Sequence, residues 1–142
     1  MKAEQVKAFV TKLITRTTNN EIEWHSLSEL QEDNSLQQTF IREIHEEVHF
    51  NEYRHLLMGA SSFFLHKDGI VALVEVDNES GRDGSHSSEY ILVIKVSSRH
   101  PLDISDYSGM QYDFYVLGLA IKDYYYKGIS LPDDLYEFMH SV

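Results

Sequence analysis

The strongest constraint on the fold is an apolar run in the middle of the chain. Ile70–Val76 is almost unbroken in apolar, mostly β-branched residues, and it follows a strong turn signal, Lys67-Asp68-Gly69. A run of this length bounded by turn residues is typical of a strand, and its lack of polar alternation indicates burial on both faces. The turn joins it to Tyr53–His66, so we predict a hairpin with Ile70–Val76 as its central strand.

A third strand and several helices follow from the same periodicity arguments. Tyr90–Val96 predicts a strand after a polar, glycine-containing loop at 77–88, and such short connections favour an antiparallel meander. Apolar residues at helical spacing predict helices over 3–18, 35–50, 105–127 and 132–140, with a short helical turn at 27–32. Helices and strands are segregated along the chain. The predicted class is therefore α+β: a three-stranded antiparallel β-meander packed against N-terminal helices and a long C-terminal helix plus a short last helix, with the sheet covered mainly on one face.

Length and composition set the expected organisation and location. The chain has 142 residues, which favours a single α+β domain over residues 1–142. It has no Cys, so disulfides, thiolate chemistry and cysteine-based zinc sites are excluded. The first residues lack the apolar core of a signal peptide, and no apolar run reaches the roughly 20 residues that span a bilayer. We therefore expect a cytoplasmic protein.

The net charge restricts the kinds of partner. With 12 basic and 23 acidic residues the formal charge is −11, and the basic residues are scattered. Binding to nucleic acid or to an anionic membrane requires clustered Lys and Arg, so neither is an expected partner. The acidic balance fits an ordinary solvated surface, and it equally fits a surface that docks on a basic protein, as in immunity proteins and DNA-mimic inhibitors.

One stretch of the chain has the pattern of a zinc site. Residues 45–55 read HEEVHFNEYRH, in which His45, Glu46 and His49 satisfy H-E-x-x-H and His55 adds a third imidazole. The stretch resembles the extended zinc motif of the metzincin metalloproteases. That resemblance implies His45, His49 and His55 as ligands of Zn²⁺ and Glu46 as the general base on the metal-bound water.

The same residues have a purely structural interpretation, which we favour. Glu52 stands where the metzincin motif has a glycine, and the predicted sheet follows the motif instead of preceding it. His45 and His49 then lie on the flank of an amphipathic helix, and His55 lies near the start of the first strand. The core face of that helix is Ile41, Ile44 and Val48.

The long C-terminal helix is more apolar than one buried face requires. Beyond its main stripe, apolar character extends round the helix through Tyr112, Tyr115, Val116 and Leu119. Such a helix is either central to the fold or part of an interface. At its end, Tyr124, Tyr125 and Tyr126 must point in three directions, so at least one is exposed. Because tyrosine is enriched at interfaces, these three residues are a candidate interaction surface.

Together these features favour a small acidic, non-enzymatic protein-interaction module, of the binding or inhibitor type, with an unidentified protein partner. A small sheet with one open face also predicts a homodimer. The alternative is a zinc-dependent metallohydrolase that uses the HEEVH motif at 45–49. A third hypothesis is a small-ligand pocket between helix and sheet.

Overall fold

The computed structural model describes residues 3–30, 37, 39–97, 99–105, 110–127 and 133–142. The helices are α1 (Ala3–Thr18), α2 (Phe40–Glu47), α3 (Gln111–Lys127) and α4 (Asp133–Ser141). The strands are β1 (His25–Ser26), β2 (Arg54–Leu56), β3 (Ser62–His66), β4 (Gly69–Glu79), β5 (His86–Val96) and β6 (Leu102–Asp103). Short 3₁₀ turns occupy Leu27–Glu29 and Met58–Ala60. This arrangement confirms the predicted α+β class.

The sheet has more strands than predicted. It is a six-stranded antiparallel sheet. Five of the strands follow the order β1-β3-β4-β5-β6, and β2 pairs with the part of β4 that extends past its pairing with β3. The predicted strand over Tyr53–His66 is divided into β2, a 3₁₀ turn and β3. The three additional strands were missed because they have only two or three residues each, too few to show a periodicity.

The β4–β5 hairpin is longer than the sequence indicated. Its polar ends pair instead of forming the predicted loop over 77–88, so the connection shrinks to 80–85. Arg54 on β2 makes a bidentate contact with the carboxylate of Glu89 at 2.9–3.0 Å, and Asn78 donates to the same carboxylate at 3.1 Å. Cross-strand pairing of polar groups stabilises this extension, whereas the sequence argument assigned polar residues to a loop.

Helices cover both faces of the sheet, which corrects the prediction of one covered face. Alternate residues of β4 point to opposite sides, since side chains alternate along a strand. Val71 and Leu73 pack with α1 and α3, whereas Ile70, Ala72 and Val74 pack with α2. The prediction that this strand is central and buried on both faces is therefore confirmed. The second layer was missed because α2 was not assigned to a face of the sheet.

The first helix agrees with its predicted bounds and is anchored by the single tryptophan. Its buried stripe is Val6, Val10, Leu13 and Thr17. Trp24 donates its indole N–H to the hydroxyl of Thr17 at 3.0 Å and packs edge-on against Phe64, with ring centroids 4.8 Å apart. Trp24 therefore joins the helix to the core of the sheet.

The remaining helices are shorter than predicted or shifted at their ends. α2 begins at Phe40 and ends at Glu47, where 35–50 was predicted, although residues 31–36 and 38 lie outside the described residues. α3 begins at Gln111 instead of 105, and 106–109 lie outside the described residues. α4 covers Asp133–Ser141, where 132–140 was predicted, and residues 128–132 lie outside the described residues. None of the described helices is long and apolar enough to cross a membrane.

Candidate interaction surface

The residues of the zinc-like motif do not converge. α2 ends at Glu47, and Val48 has φ −110° and ψ 119°, which is extended backbone. His45 is therefore helical and His49 is not, so the two imidazoles do not share a helix face as H-E-x-x-H requires. The ring of His45 packs edge-on against Phe50 at 5.0 Å, and His55 lies on β2 opposite Asp77.

The structure describes all of residues 45–55, so the proposed ligand set can be examined directly. Among the described residues, no three His, Asp or Glu side chains are arranged so that they could hold a metal ion. His45, His49 and His55 are not brought together. Glu46, the residue that the motif makes a general base, faces Arg42 one turn away at 3.8 Å. The geometry thus gives no support to zinc-dependent hydrolysis.

A buried ion pair lies on the α2 side of the sheet, and the sequence argument missed it. Lys95 of β5 is 6% exposed and binds the carboxylate of Glu43 on α2, which also accepts a hydrogen bond from the Thr39 hydroxyl at 2.6 Å. His100 lies 3.8 Å from the same carboxylate. Burial raises the pKa of Glu43, but the bonds from Lys95 and Thr39 and the charges of Lys95 and His100 outweigh it, so this pKa is below its usual value.

This ion pair is largely buried, with side-chain exposures of 7% for Lys95 and 12% for Glu43. The two side chains are 52 positions apart in sequence, so no local spacing could have found them. Since a buried charge must be paired and hydrogen-bonded, the cluster is explained as a structural link between α2 and β5.

The three successive tyrosines differ in burial, because successive residues of a helix point in different directions. Tyr124 and Tyr125 pack against the α1/α3 core, and the hydroxyl of Tyr125 is hydrogen-bonded to that of Ser62 at 3.0 Å. Burial is the main cause of a raised pKa at Tyr125. Tyr126 is 71% exposed. Of the predicted interaction surface, the structure therefore presents only Tyr126 fully to solvent.

Tyr126 belongs to a larger exposed stripe on α3. We use the name α3 stripe for Tyr112, Tyr115, Leu119 and Tyr126, which are 75%, 46%, 46% and 71% exposed. At about 100° per residue these four positions fall within an arc of about 60°. The opposite side of the helix carries the buried residues Phe114, Leu117 and Ile121. The apolar residues of α3 that exceed the needs of one buried face therefore lie on the solvent side of the helix.

The α3 stripe is held in a fixed position by contacts at the start and middle of the helix. The side-chain amide of Gln111 bonds to both the backbone N–H and the backbone carbonyl of Tyr90, each at 2.8 Å. Gly118 faces the Tyr90 ring so closely that a Cβ there would lie 3.2 Å from Cε1. Tyr90 in turn packs edge-on against Tyr115 of the stripe, with ring centroids 6.2 Å apart.

A second exposed apolar surface lies on α4. We use the name α4 face for Leu135, Phe138 and Met139, which are 43%, 67% and 58% exposed and follow the i, i+3, i+4 spacing of an amphipathic helix. The start of the same helix carries Asp133 and Asp134. Only residues 128–132 separate α4 from α3, so the two helix ends lie within about 20 Å of each other.

Comparison of this chain with protein-family models, with curated proteins and with solved structures gives no match. The geometry of the α3 stripe and the α4 face is therefore the only structural support for a candidate interaction surface among the described residues. The sequence indicated this surface by the apolar character all round α3 and by the three successive tyrosines at its end, whereas the exposure of the α4 face had no such signal.

Proposed function

We propose that this protein is a non-enzymatic protein-interaction module that binds through the α3 stripe and the α4 face. The observation that carries the proposal is the α3 stripe itself. Four large apolar side chains stand on the solvent side of a helix whose inner side is already fully packed. Exposed apolar patches of this size mark interaction sites, because single scattered residues would not align along one helix.

The partner that we propose is a second copy of the chain. The two surfaces offer on the order of 800 Å² of apolar area per chain, since each large aromatic side chain presents roughly 150–250 Å² when fully exposed. That is about the area that each partner buries in a standard interface. A two-fold dimer in which α4 of one copy lies on the α3 stripe of the other would cover both surfaces in both copies.

The net charge of the chain predicts whether salt strengthens or weakens the proposed dimer. Each chain carries a formal charge of −11, so two copies repel each other through solvent. Screening by salt weakens that repulsion. A dimer held by apolar contact therefore tightens when NaCl is raised from about 50 to about 500 mM. A complex with a basic partner, the alternative for an acidic protein, would weaken under the same change.

The test is sedimentation equilibrium of the purified chain, with Leu119→Glu and Leu65→Glu as a matched pair. Both leucines are 46% exposed, but Leu65 lies on β3, outside both proposed surfaces. We expect a wild-type dimer with a Kd on the order of micromolar. Leu119→Glu should weaken it about tenfold or more, and Leu65→Glu should leave it unchanged. A wild type that stays monomeric at about 100 µM, or a dimer equally tight in Leu119→Glu, contradicts the proposal.

A further inference from the structure

A half-open cleft lies between α1 and the end of the sheet where β3 turns into β4, far from the α3 stripe in sequence. Its volume is about 210 Å³. The floor is apolar and is formed by Phe9 and Leu13 of α1 together with Phe64, Val71 and Ile94 of the sheet. A cleft of this kind, apolar with a few polar groups at its mouth, is the usual form of a small-molecule site, although this one is smaller than the typical roughly 300–1,000 Å³.

The register of the sheet explains why the cleft exists. Phe64, Val71 and Ile94 are directly opposite one another on neighbouring strands and fill one row beneath α1. In the next row Gly69 stands between His66 and Val96 and contributes no side chain. Glycine is required here because the neighbouring strand β5 approaches closely, and a Cβ at this position would lie 2.8 Å from the carbonyl oxygen of Lys95. The space is therefore built into the hairpin.

The mouth of the cleft is cationic, in contrast to the rest of the chain. Lys12 and Arg16, one helical turn apart on α1, and His66 at the end of β3 line it, and none of the lining residues is acidic. Arg16 lies 3.5 Å from Glu21, but both side chains are largely exposed, so the pair is weak. Against a formal charge of −11, this is a local site for an anion above an apolar floor.

We infer that this cleft binds a small amphipathic carboxylate, a molecule with a short apolar tail and one anionic head. The tail replaces water over Phe64, Val71 and Ile94, and the carboxylate lies between the side chains of Lys12 and Arg16. Charge-assisted hydrogen bonds from the two cations orient the head, and burial of the tail supplies most of the affinity. The inference is independent of the proposed dimer, since no residue of the α3 stripe or the α4 face lines the cleft.

The experiment is calorimetric titration of the full chain with octanoate, compared with octylamine of the same tail length. We expect saturable binding of one octanoate per chain and much weaker binding of octylamine. Across hexanoate, octanoate and decanoate, affinity should rise about fourfold for each added CH₂ until the cleft is full. Binding of octylamine as tight as that of octanoate indicates unspecific adsorption of tails and overturns the inference.

Three variants locate the site. Lys12→Gln combined with Arg16→Gln should weaken octanoate binding about tenfold or more. Lys7→Gln is the matched control, since Lys7 is exposed on the same helix but does not line the cleft, and it should leave binding unchanged. Val96→Trp, at a lining residue that is 48% exposed, should block the space without disturbing the core. Absence of saturable binding in the wild type, or unchanged binding in the double variant or in Val96→Trp, refutes the assignment.

Discussion

The two longest helices, α1 and α3, pack against each other and against the same face of the sheet, yet their outer sides differ. α1 presents Glu4, Lys7, Thr11 and Thr15 to solvent, and none of its large apolar side chains is exposed. α3 has an equally complete buried side but turns Tyr112, Leu119 and Tyr126 outward. The inner sides are thus equivalent, and the outer sides are not.

Packing within one chain explains the distribution of apolar residues on α1, but it does not explain the apolar residues on the outer side of α3. The pattern of α1 is accounted for by packing, because none of its large apolar residues is exposed. The outer apolar residues of α3 are not among the buried residues of the core. We propose that a partner covers this surface, because the outer side of α3 is apolar where that of α1 is polar.

The largest expected effect comes from testing the two sides of α3 against each other. Phe114→Ala removes a ring that is fully buried and should lower the free energy of unfolding by about 3–5 kcal/mol. Leu119→Ala, on the α3 stripe, should change it by less than about 0.5 kcal/mol in dilute, monomeric protein. Urea unfolding followed by circular dichroism measures both. If Leu119→Ala costs as much as a core residue, the outer side of α3 belongs to the core and the comparison fails.

The second prediction concerns the inner side of α1. Thr17→Val removes the hydroxyl that accepts the indole N–H of Trp24, a residue that is 2% exposed. Leaving that donor unpaired should cost about 1–3 kcal/mol of unfolding free energy.

The neighbouring residue supplies the matched control. The hydroxyl of Thr17 also donates to the backbone carbonyl of Leu13 at 2.6 Å, and the hydroxyl of Thr18 likewise donates to the carbonyl of Ile14 at 2.9 Å, but Thr18 is exposed. Thr18→Val should therefore stay within about 0.5 kcal/mol of the wild type. Equal effects of the two variants in urea unfolding would show that Trp24 does not depend on Thr17.

The two helices also show how far sequence reasoning reaches. α1 was predicted with its correct bounds because its apolar and polar sides are cleanly separated and Asn20, with φ 58°, ends it in the left-handed conformation. The central strands were found because burial on both faces leaves an apolar run. The alternative zinc site requires a helix that continues through Val48, whereas Val48 is 3% exposed and leaves the helix in extended conformation.

What could not be predicted depends on contacts between distant parts of the chain. Lys95 in an otherwise apolar strand gives no hint that Glu43 will meet it. The cleft above Gly69 follows from strand register, which periodicity does not determine. The outer apolar residues of α3 were visible in the sequence, but whether they were buried depended on which elements packed around them.

A smaller effect is expected where α3 meets the sheet. Tyr125→Phe removes the hydrogen bond to Ser62 and should cost about 1 kcal/mol at neutral pH. Because burial raises the pKa of Tyr125, the folded state favours the neutral phenol. Its contribution is complete below the ordinary pKa of about 10 and is lost as pH rises through the folded value.

Stability measured across alkaline pH should therefore fall less steeply in Tyr125→Phe than in the wild type. Burial also raises the pKa of Tyr90. Because Tyr90 is present in both proteins, part of the loss of stability at alkaline pH remains in both. In dilute, monomeric protein, Tyr126→Phe, on the exposed side of the same turn, serves as the control and should follow the wild-type curve. Identical alkaline slopes for all three proteins would mean that Tyr125 is not buried against the sheet.

The smallest effect is expected at Gly118, where the inner and outer sides of α3 adjoin. Replacing it with Ala adds helix propensity of up to about 1 kcal/mol, but the new Cβ lies 3.2 Å from the Tyr90 ring. That ring borders an open groove shared with Tyr115 and Lys122, so it can shift by a few tenths of an ångström. The two effects nearly cancel, and the unfolding free energy should change by less than about 0.5 kcal/mol. Because Tyr90 supports Tyr115, the dimer should weaken in Gly118→Ala while stability stays the same. A loss of stability without any change in association would place Gly118 wholly in the core and separate it from the α3 stripe.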